Sequence, residues 1–223
     1  MAGRLFLYYN MEIYGFTFNP FQENTWLVYH PQGACMLIDP GCMGAREQMA
    51  LTQFITEQNL TVVAVVNTHA HLDHVAGWAY ARQQWKVPFY LHEKEKPVLE
   101  RAMSSGLLWG IEIEDPGQPD VWLTNEEVLP LPEFPLEIRF TPGHSPGSIC
   151  LISHTDRWVI AGDVLFKGSI GRTDLPGGDT ETLLASVRRQ LFTLPDDYTV
   201  CSGHGETTGI GHEKRFNPFF LQA

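Results

Sequence analysis

Basic charge is in short supply: 15 Lys and Arg face 26 Asp and Glu, a net charge of −11 over 223 residues. The basic residues cluster no further than the dipeptides Arg188-Arg189 and Lys214-Arg215. Phosphate backbones are held by concentrated basic fields, so a nucleic-acid surface is not expected. Cysteine is also sparse. Cys35, Cys42, Cys150 and Cys201 are scattered with no Cys-x-x-Cys pair, which argues against a disulfide framework and against a closed Cys-rich structural zinc site. They read as reduced structural thiols of a cytoplasmic protein. Long apolar runs are missing as well, none approaching the roughly 18 residues of a membrane span. Leu5 to Tyr9 is too short for a signal h-region and lacks a small-residue cleavage site. A soluble, intracellular chain with neither nucleic-acid nor membrane partners is expected. Repeats and low-complexity segments are absent too.

With 43% hydrophobic residues, 223 positions suffice for one substantial core. Residues 1–10 precede a second methionine, and Met11 is expected to be the functional start, with one domain over 11–223. Alternating apolar residues predict strands over 25–29 and 34–38, joined by the His30-Pro31-Gln32-Gly33 turn, and later over 60–66, 88–92, 136–140, 149–153, 158–161 and 198–201. Helical spacing predicts helices over 45–58, 75–85, 93–103 and 180–192. Residues 104–120, with Gly110, Pro116, Gly117 and Pro119, read as a long surface loop of the kind that often closes over a site, with disorder as the alternative. Strands and helices interleave throughout, which points to a layered α/β fold.

The densest chemistry lies in Asn67-Thr68-His69-Ala70-His71-Leu72-Asp73-His74. His-x-His-x-Asp-His should arise by chance on the order of once in a thousand such chains. Four apolar runs end in a group of this kind: VVAVVNTH at His69, LEIRFTPGH at His144, WVIAGD at Asp163 and YTVCSGH at His204. Strand ends on one edge of a sheet assembly can converge on one cleft. With His71, Asp73 and His74 they make seven potential ligands, too many for one zinc ion, which takes about four. Two divalent ions sharing a carboxylate would use them all. Asp163 is the natural bridge, because a carboxylate has two oxygens and an imidazole one lone pair. His69 and His71, two apart in an extended segment, can grip one ion, and Asp73 and His74 can face the other. Asp73 also stands where a helix N-cap would sit. Glycine beside His144 and His204 suggests close backbone approach. Asp39, Thr68, Ser145 and Ser148 are candidates to orient the imidazoles, with simple turn chemistry as the alternative. His30, His92, His154 and His212 lack such context.

Taken together, THAHLDH, TPGHSPGS, GDVLF and GHGE, in this order, resemble the motifs of metallo-β-lactamase-fold hydrolases. GDVLFKGSIGRTDLPGGD and IGHEKRFNPF resemble the short, glyoxalase II-like (hydroxyacylglutathione hydrolase-like) members, over about residues 12–220. The resemblance implies an αββα sandwich of two mixed sheets flanked by helices, with a two-metal site at one edge. It places His69, His71 and His144 on the first ion, Asp73, His74 and His204 on the second, and Asp163 between them. Asp163, where one group of true metallo-β-lactamases carries cysteine, argues against an antibiotic-degrading role. Arg172 falls where glyoxalase II enzymes carry a basic residue that contacts the glutathione carboxylate, although a surface pair with Asp174 would also explain it. The longer C-terminal helical extension of full-length glyoxalase II is not part of the resemblance.

The chemistry expected is hydrolysis of a small-molecule thioester such as S-lactoylglutathione. Paired divalent ions, zinc foremost, with iron and manganese also suited to His and Asp donors, lower the pKa of a shared water towards neutrality. A thiolate leaving group needs no general acid, and Asp73 is the one acid candidate at hand. A monomer or small homo-oligomer is expected. The rival reading is a persulfide dioxygenase of the same fold, with one iron on His69, His144 and Asp163.

Overall fold

In the computed structural model, which describes residues 10–124 and 128–221, alternating apolar side chains make each central strand a wall shared by two cores. The first half of the chain contributes β1 (Glu12–Phe18), β2 (Glu23–Tyr29), β3 (Ala34–Ile38), α1 (Gly44–Glu57), β4 (Thr61–Val66), α2 (Leu72–Val75) and α3 (Trp78–Gln84). It continues with β5 (Phe89–His92), α4 (Lys96–Leu99), α5 (Ala102–Leu108) and β6 (Val121–Leu123). Its strands form a six-stranded sheet in chain order, antiparallel from β1 to β3 and parallel from β3 to β6.

The second half supplies β7 (Glu137–Phe140), β8 (Ile149–Ser153), β9 (Trp158–Gly162), β10 (Leu165–Phe166) and β11 (Ser169–Ile170). Then come α6 (Thr180–Ser186), a π turn over Val187–Leu191, β12 (Thr199–Ser202), β13 (Thr208–Gly209) and α7 (Ile210–Phe216). The second sheet runs β13-β12-β9-β8-β7.

Side-chain period explains the layering. Along β3, Met36 and Ile38 enter the core between the sheets, while Cys35 and Leu37 face α1 to α3. Along β8 and β9, Ile149, Leu151 and Ile160 meet them from the other sheet, and Cys150, Ile152, Val159 and Ala161 pack on α6 and the π turn. The result is the expected αββα sandwich. Each fully buried Leu or Ile in these layers contributes about 1.5–3 kcal/mol. All four cysteines are buried and free.

Local period misled in three places. The helix expected over 75–85 is broken between α2 and α3, because Gly77 is pressed onto the Asp39-Pro40-Gly41 turn. A Cβ there would lie 2.6 Å from the Pro40 carbonyl oxygen, which already accepts the Gly77 N–H at 2.8 Å. The helix expected over 93–103 is instead a 3-10 turn at Glu93–Glu95 followed by α4 and α5. The loop expected from 104 therefore starts after α5; Ser104, Ser105, Leu108 and Trp109 of that stretch line the cavity over the site, and only its later part packs on Arg82 through Pro116 and Gln118. The helix expected over 180–192 ends in the π turn. Strands β6, β10, β11 and β13 are too short for a period of two to register. Residues 1–9, ahead of the proposed start at Met11, lie outside the described residues.

Candidate metal centre

Seven donors meet at the edge where β4, β7, β9 and β12 end. His69, His71 and His144 present donor atoms within 4.8 Å of one another, as do Asp73, His74 and His204. Asp163 lies between the groups: Oδ1 is 3.4 Å from His74 Nε2, and Oδ2 is 3.5 Å from His144 Nε2 and 3.4 Å from His204 Nε2. Sequence spacing alone could pair only His69 with His71 and Asp73 with His74. The fold brings His144 and His204 to the same edge.

Hydrogen bonds at the far ring nitrogens fix where the lone pairs point. His144 Nδ1 donates to the Arg172 carbonyl oxygen at 2.7 Å, leaving Nε2 as a bare acceptor. The Thr68 hydroxyl spends its proton on Asp39 Oδ2 at 2.6 Å, so the 3.1 Å contact to His69 Nδ1 is donated by the ring. His69 Nε2 is thus also a bare acceptor, and it faces His144 Nε2 at 3.2 Å. His71 Nδ1 lies 2.8 Å from the same His144 nitrogen. Lone pairs this close are bridged by a proton or drawn together by a cation. The second group follows the same logic. His74 Nδ1 donates to Asp39 Oδ2 at 3.1 Å and His204 Nδ1 to the Phe21 carbonyl at 3.0 Å, so both Nε2 atoms face carboxylates. His74 Nε2 and Asp163 Oδ1 are buried without a hydrogen-bond partner. That orphaned pair, within a His and Asp donor set, fits a divalent cation.

Electrostatics split the cluster along the same line. Burial, then the neighbouring imidazoles, lower His69; burial and His144 bring His71 down to about 3. His144 is also lowered, chiefly by burial. These three are neutral and ready to ligate. For His74 burial pulls downward, but Asp163 and Asp73 outweigh it and the ring is held above its ordinary value. His204, a quarter exposed, rises to about 10 because Asp163 and Asp73 outweigh its partial burial. Both carboxylates are held low despite burial, His74 being the main counterweight. A metal ion entering beside Asp73 must displace the protons on His74 and His204. Loading the metal-free protein near pH 7 should therefore release protons, and titration in weakly buffered solution would read this directly.

Asp39 is the main support. It holds a left-handed backbone at φ 51°, a costly state for a non-glycine residue, and receives the Thr68 N–H, the Thr68 hydroxyl and His74 Nδ1. Asp39 and Thr68 thus do orient imidazoles. Ser145 and Ser148 do not. They bond each other at 2.8 Å, and Ser145 donates to Glu95 Oε1. Glu95 itself is fully buried and ties Ala70, between His69 and His71, to the His144 loop through bonds from the Ala70 and Gly147 N–H groups. Its sequence setting in a charged stretch gave no sign of this. Nor is Asp73 a cap: α2 is preceded by His71, and no side chain caps it. The glycine signal divides. A Cβ on Gly203 would sit 2.2 Å from Asp163 Oδ1, whereas one on Gly143 would strike the Leu183 backbone of α6.

A cavity of about 930 Å³ opens over the donors, floored by His71, Asp73, His144, Asp163 and His204. Leu108 and Trp109 bound it on one side, Phe166 and Leu175 among the residues on the other. Arg172 also lines it, but its guanidinium is paired bidentately with Asp174 at 2.7 Å and is half exposed. Among the described residues no helix is long and apolar enough to cross a membrane.

Known proteins share this architecture. The hydroxyacylglutathione hydrolase GloC of Haemophilus influenzae is 41% identical over 212 residues, 94% of this chain and 97% of that protein. The crystal structure of the BLEG-1 B3 metallo-beta-lactamase superposes with a TM-score of 0.88 at 37% identity, covering 94% of this chain and 100% of that one. TTHA1623, in a di-iron-bound form, gives 0.84 at 38% identity, covering 92% and 99%. The family profile described as Metallo-beta-lactamase superfamily matches residues 18–204, and with the sandwich and the donor set at its edge, the chain belongs to that superfamily.

Proposed function

We propose that the chain is a binuclear metal-dependent hydrolase of thioesters, acting on S-acylglutathiones, with S-lactoylglutathione as the assay substrate. The convergence of six donors around Asp163, with histidine ring nitrogens aimed at common points, carries the reading. His69, His71 and His144 would hold one ion, Asp73, His74 and His204 the other, and Asp163 both. When bound, such ions supply an acidified water and an electrophile for the acyl carbonyl. Asp39, Thr68 and the Arg172 carbonyl fix the rings so that each presents a lone pair to the cleft. A thiol of pKa about 8.5 leaves as thiolate without a proton from the protein, so Asp73 is needed as a ligand and not as an acid. The relation to GloC supports thioester cleavage.

Metal analysis of the purified protein beside an S-lactoylglutathione assay tests this. Two ions per chain with thiol release is the expected result. One ferrous ion with oxygen uptake would replace the reading by a persulfide dioxygenase using His69, His144 and Asp163. Cleavage of a β-lactam amide in preference to thioesters would replace it by the activity named for the BLEG-1 neighbour. Zinc is the expected occupant, and His and Asp donors accept iron and manganese equally in kind.

Arg172 enters through its carbonyl oxygen more than its charge. A substrate carboxylate must exchange with Asp174, so the net gain is that of an exposed ion pair, about 0–1 kcal/mol. Arg172→Ala should raise KM no more than about fivefold. Steady-state kinetics showing a rise of a hundredfold would restore the side chain as a carboxylate clamp.

A further inference from the structure

The cavity is mostly apolar on both sides of the donors, which is a poor match for a small hydroxylated acyl group such as lactoyl. On one side are Val98 of α4, Ala102 and Leu108 of α5, and Trp109 at the end of α5, with Trp109 edge-on to Phe21 at 6.0 Å between ring centroids. On the other stand Pro146, Phe166, Ile170, Leu175 and Pro176. Leu108 is 88% exposed and Trp109 58% exposed, and apolar side chains left open at the mouth of a cleft mark where apolar ligand surface is buried. Two arginines line the space, and they are not equivalent. Arg172 is engaged by Asp174, whereas Arg101, at the joint of α4 and α5, makes no side-chain hydrogen bond or ion pair with another described residue.

Resting on the thioesterase reading, we propose that this site selects thioesters with an extended apolar acyl group, held between the two apolar walls, and reads a carboxylate of the thiol portion with Arg101. The chemistry is ordinary acyl transfer to water: the thioester C–S bond breaks, a C–O bond forms, and the products are the free acid and the thiol. Specificity arises from burial of the acyl chain and from an arginine with no internal competitor for its charge.

The experiment uses the metal-loaded full chain and two series of glutathione derivatives. Hydrolysis is followed for S-acetyl, S-butanoyl, S-hexanoyl and S-lactoylglutathione. Binding of the inert thioethers S-methyl, S-butyl and S-hexylglutathione is measured by calorimetry. Both series should strengthen by up to about fourfold per methylene, the transfer value of a buried CH₂, with S-lactoylglutathione well below S-hexanoylglutathione. Leu108→Asp, at an exposed position that the fold does not need, should flatten both slopes. Arg101→Ala should weaken S-hexylglutathione by about fivefold or more. It should leave the neutral hexanoyl thioester of N-acetylcysteamine unchanged. A flat or falling chain-length series in both measurements overturns the inference while leaving thioester hydrolysis standing. No turnover of any thioester, with the binding slope intact, overturns the hydrolase reading and leaves the apolar site standing. Equal loss of the charged and the neutral ligand in Arg101→Ala overturns the carboxylate contact.

Discussion

Asp163→Ala should lose bound metal and hydrolysis together, with activity falling by about three orders of magnitude or more. The argument is geometric. Asp163 is the carboxylate whose oxygens lie within 3.5 Å of histidines of both groups, with Oδ1 towards His74 and Oδ2 towards His144 and His204. Removing it leaves His74 and His204 with Asp73 as their only carboxylate in the cleft, so two cations held close together would lose the negative charge that screens one from the other. Asp163→Asn separates shape from charge: the amide fits the same space and has one oxygen in place of two. It should therefore also fail to retain a pair of ions. Metal stoichiometry by mass spectrometry, with circular dichroism to verify the fold, decides the matter. An Ala variant that keeps two ions per chain would refute Asp163 as the bridge.

Much of this centre was legible because four of the seven candidate donors, His69, His144, Asp163 and His204, each end an apolar run, and the structure brings those four ends to one edge. His144 and His204 became donors through their position after β7 and β12, which periodicity indicates without any knowledge of pairing. The supports were harder to read. Asp39 is in an Asp-Pro-Gly turn that would look the same whether or not it received Thr68 and His74; only the left-handed backbone, with the side chain turned inward, settles its role. Ser145 and Ser148 sit beside a donor in sequence, yet the chain turns at Pro146, Ser145 bonds Glu95 and Ser148 bonds Ser145. Glu95 itself lies in Glu93-Lys94-Glu95-Lys96, a pattern that composition assigns to a solvated face. Its burial is produced by groups 25, 50 and 52 positions away, and no local rule sees them. The break at Gly77 has the same origin, a contact with Pro40 across the fold.

Glu95→Ala should be the most destabilising single change behind the centre, by about 3–5 kcal/mol. The side chain accepts the Ala70 N–H at 2.8 Å, the Ser145 hydroxyl at 2.7 Å and the Gly147 N–H at 2.5 Å, all buried. Ser145 can turn to Ser148, but the two backbone donors have no other acceptor at hand, and each orphan costs about 1–3 kcal/mol. For a chain of this size the melting temperature should fall by about 10 °C. Glu95→Gln keeps one acceptor oxygen for Ser145 and Gly147 but turns an NH₂ towards Ala70, so it should lose less stability than Ala. Because Ala70 separates His69 from His71, and Ser145 follows His144, both variants should also weaken metal binding by about 10–100-fold, measured by competition with a chelator. Burial raises the Glu95 carboxyl above its ordinary value, with Ser145, Ala70 and Gly147 acting against it. Folding therefore favours the protonated form more than the unfolded chain does. This group's contribution is fully present below its unfolded pKa and declines as pH rises through its folded one. Glu95→Gln should remove that part of the pH dependence of stability. Unchanged melting and unchanged metal affinity in Glu95→Ala would mean that the two ligand loops hold their geometry without the carboxylate between them.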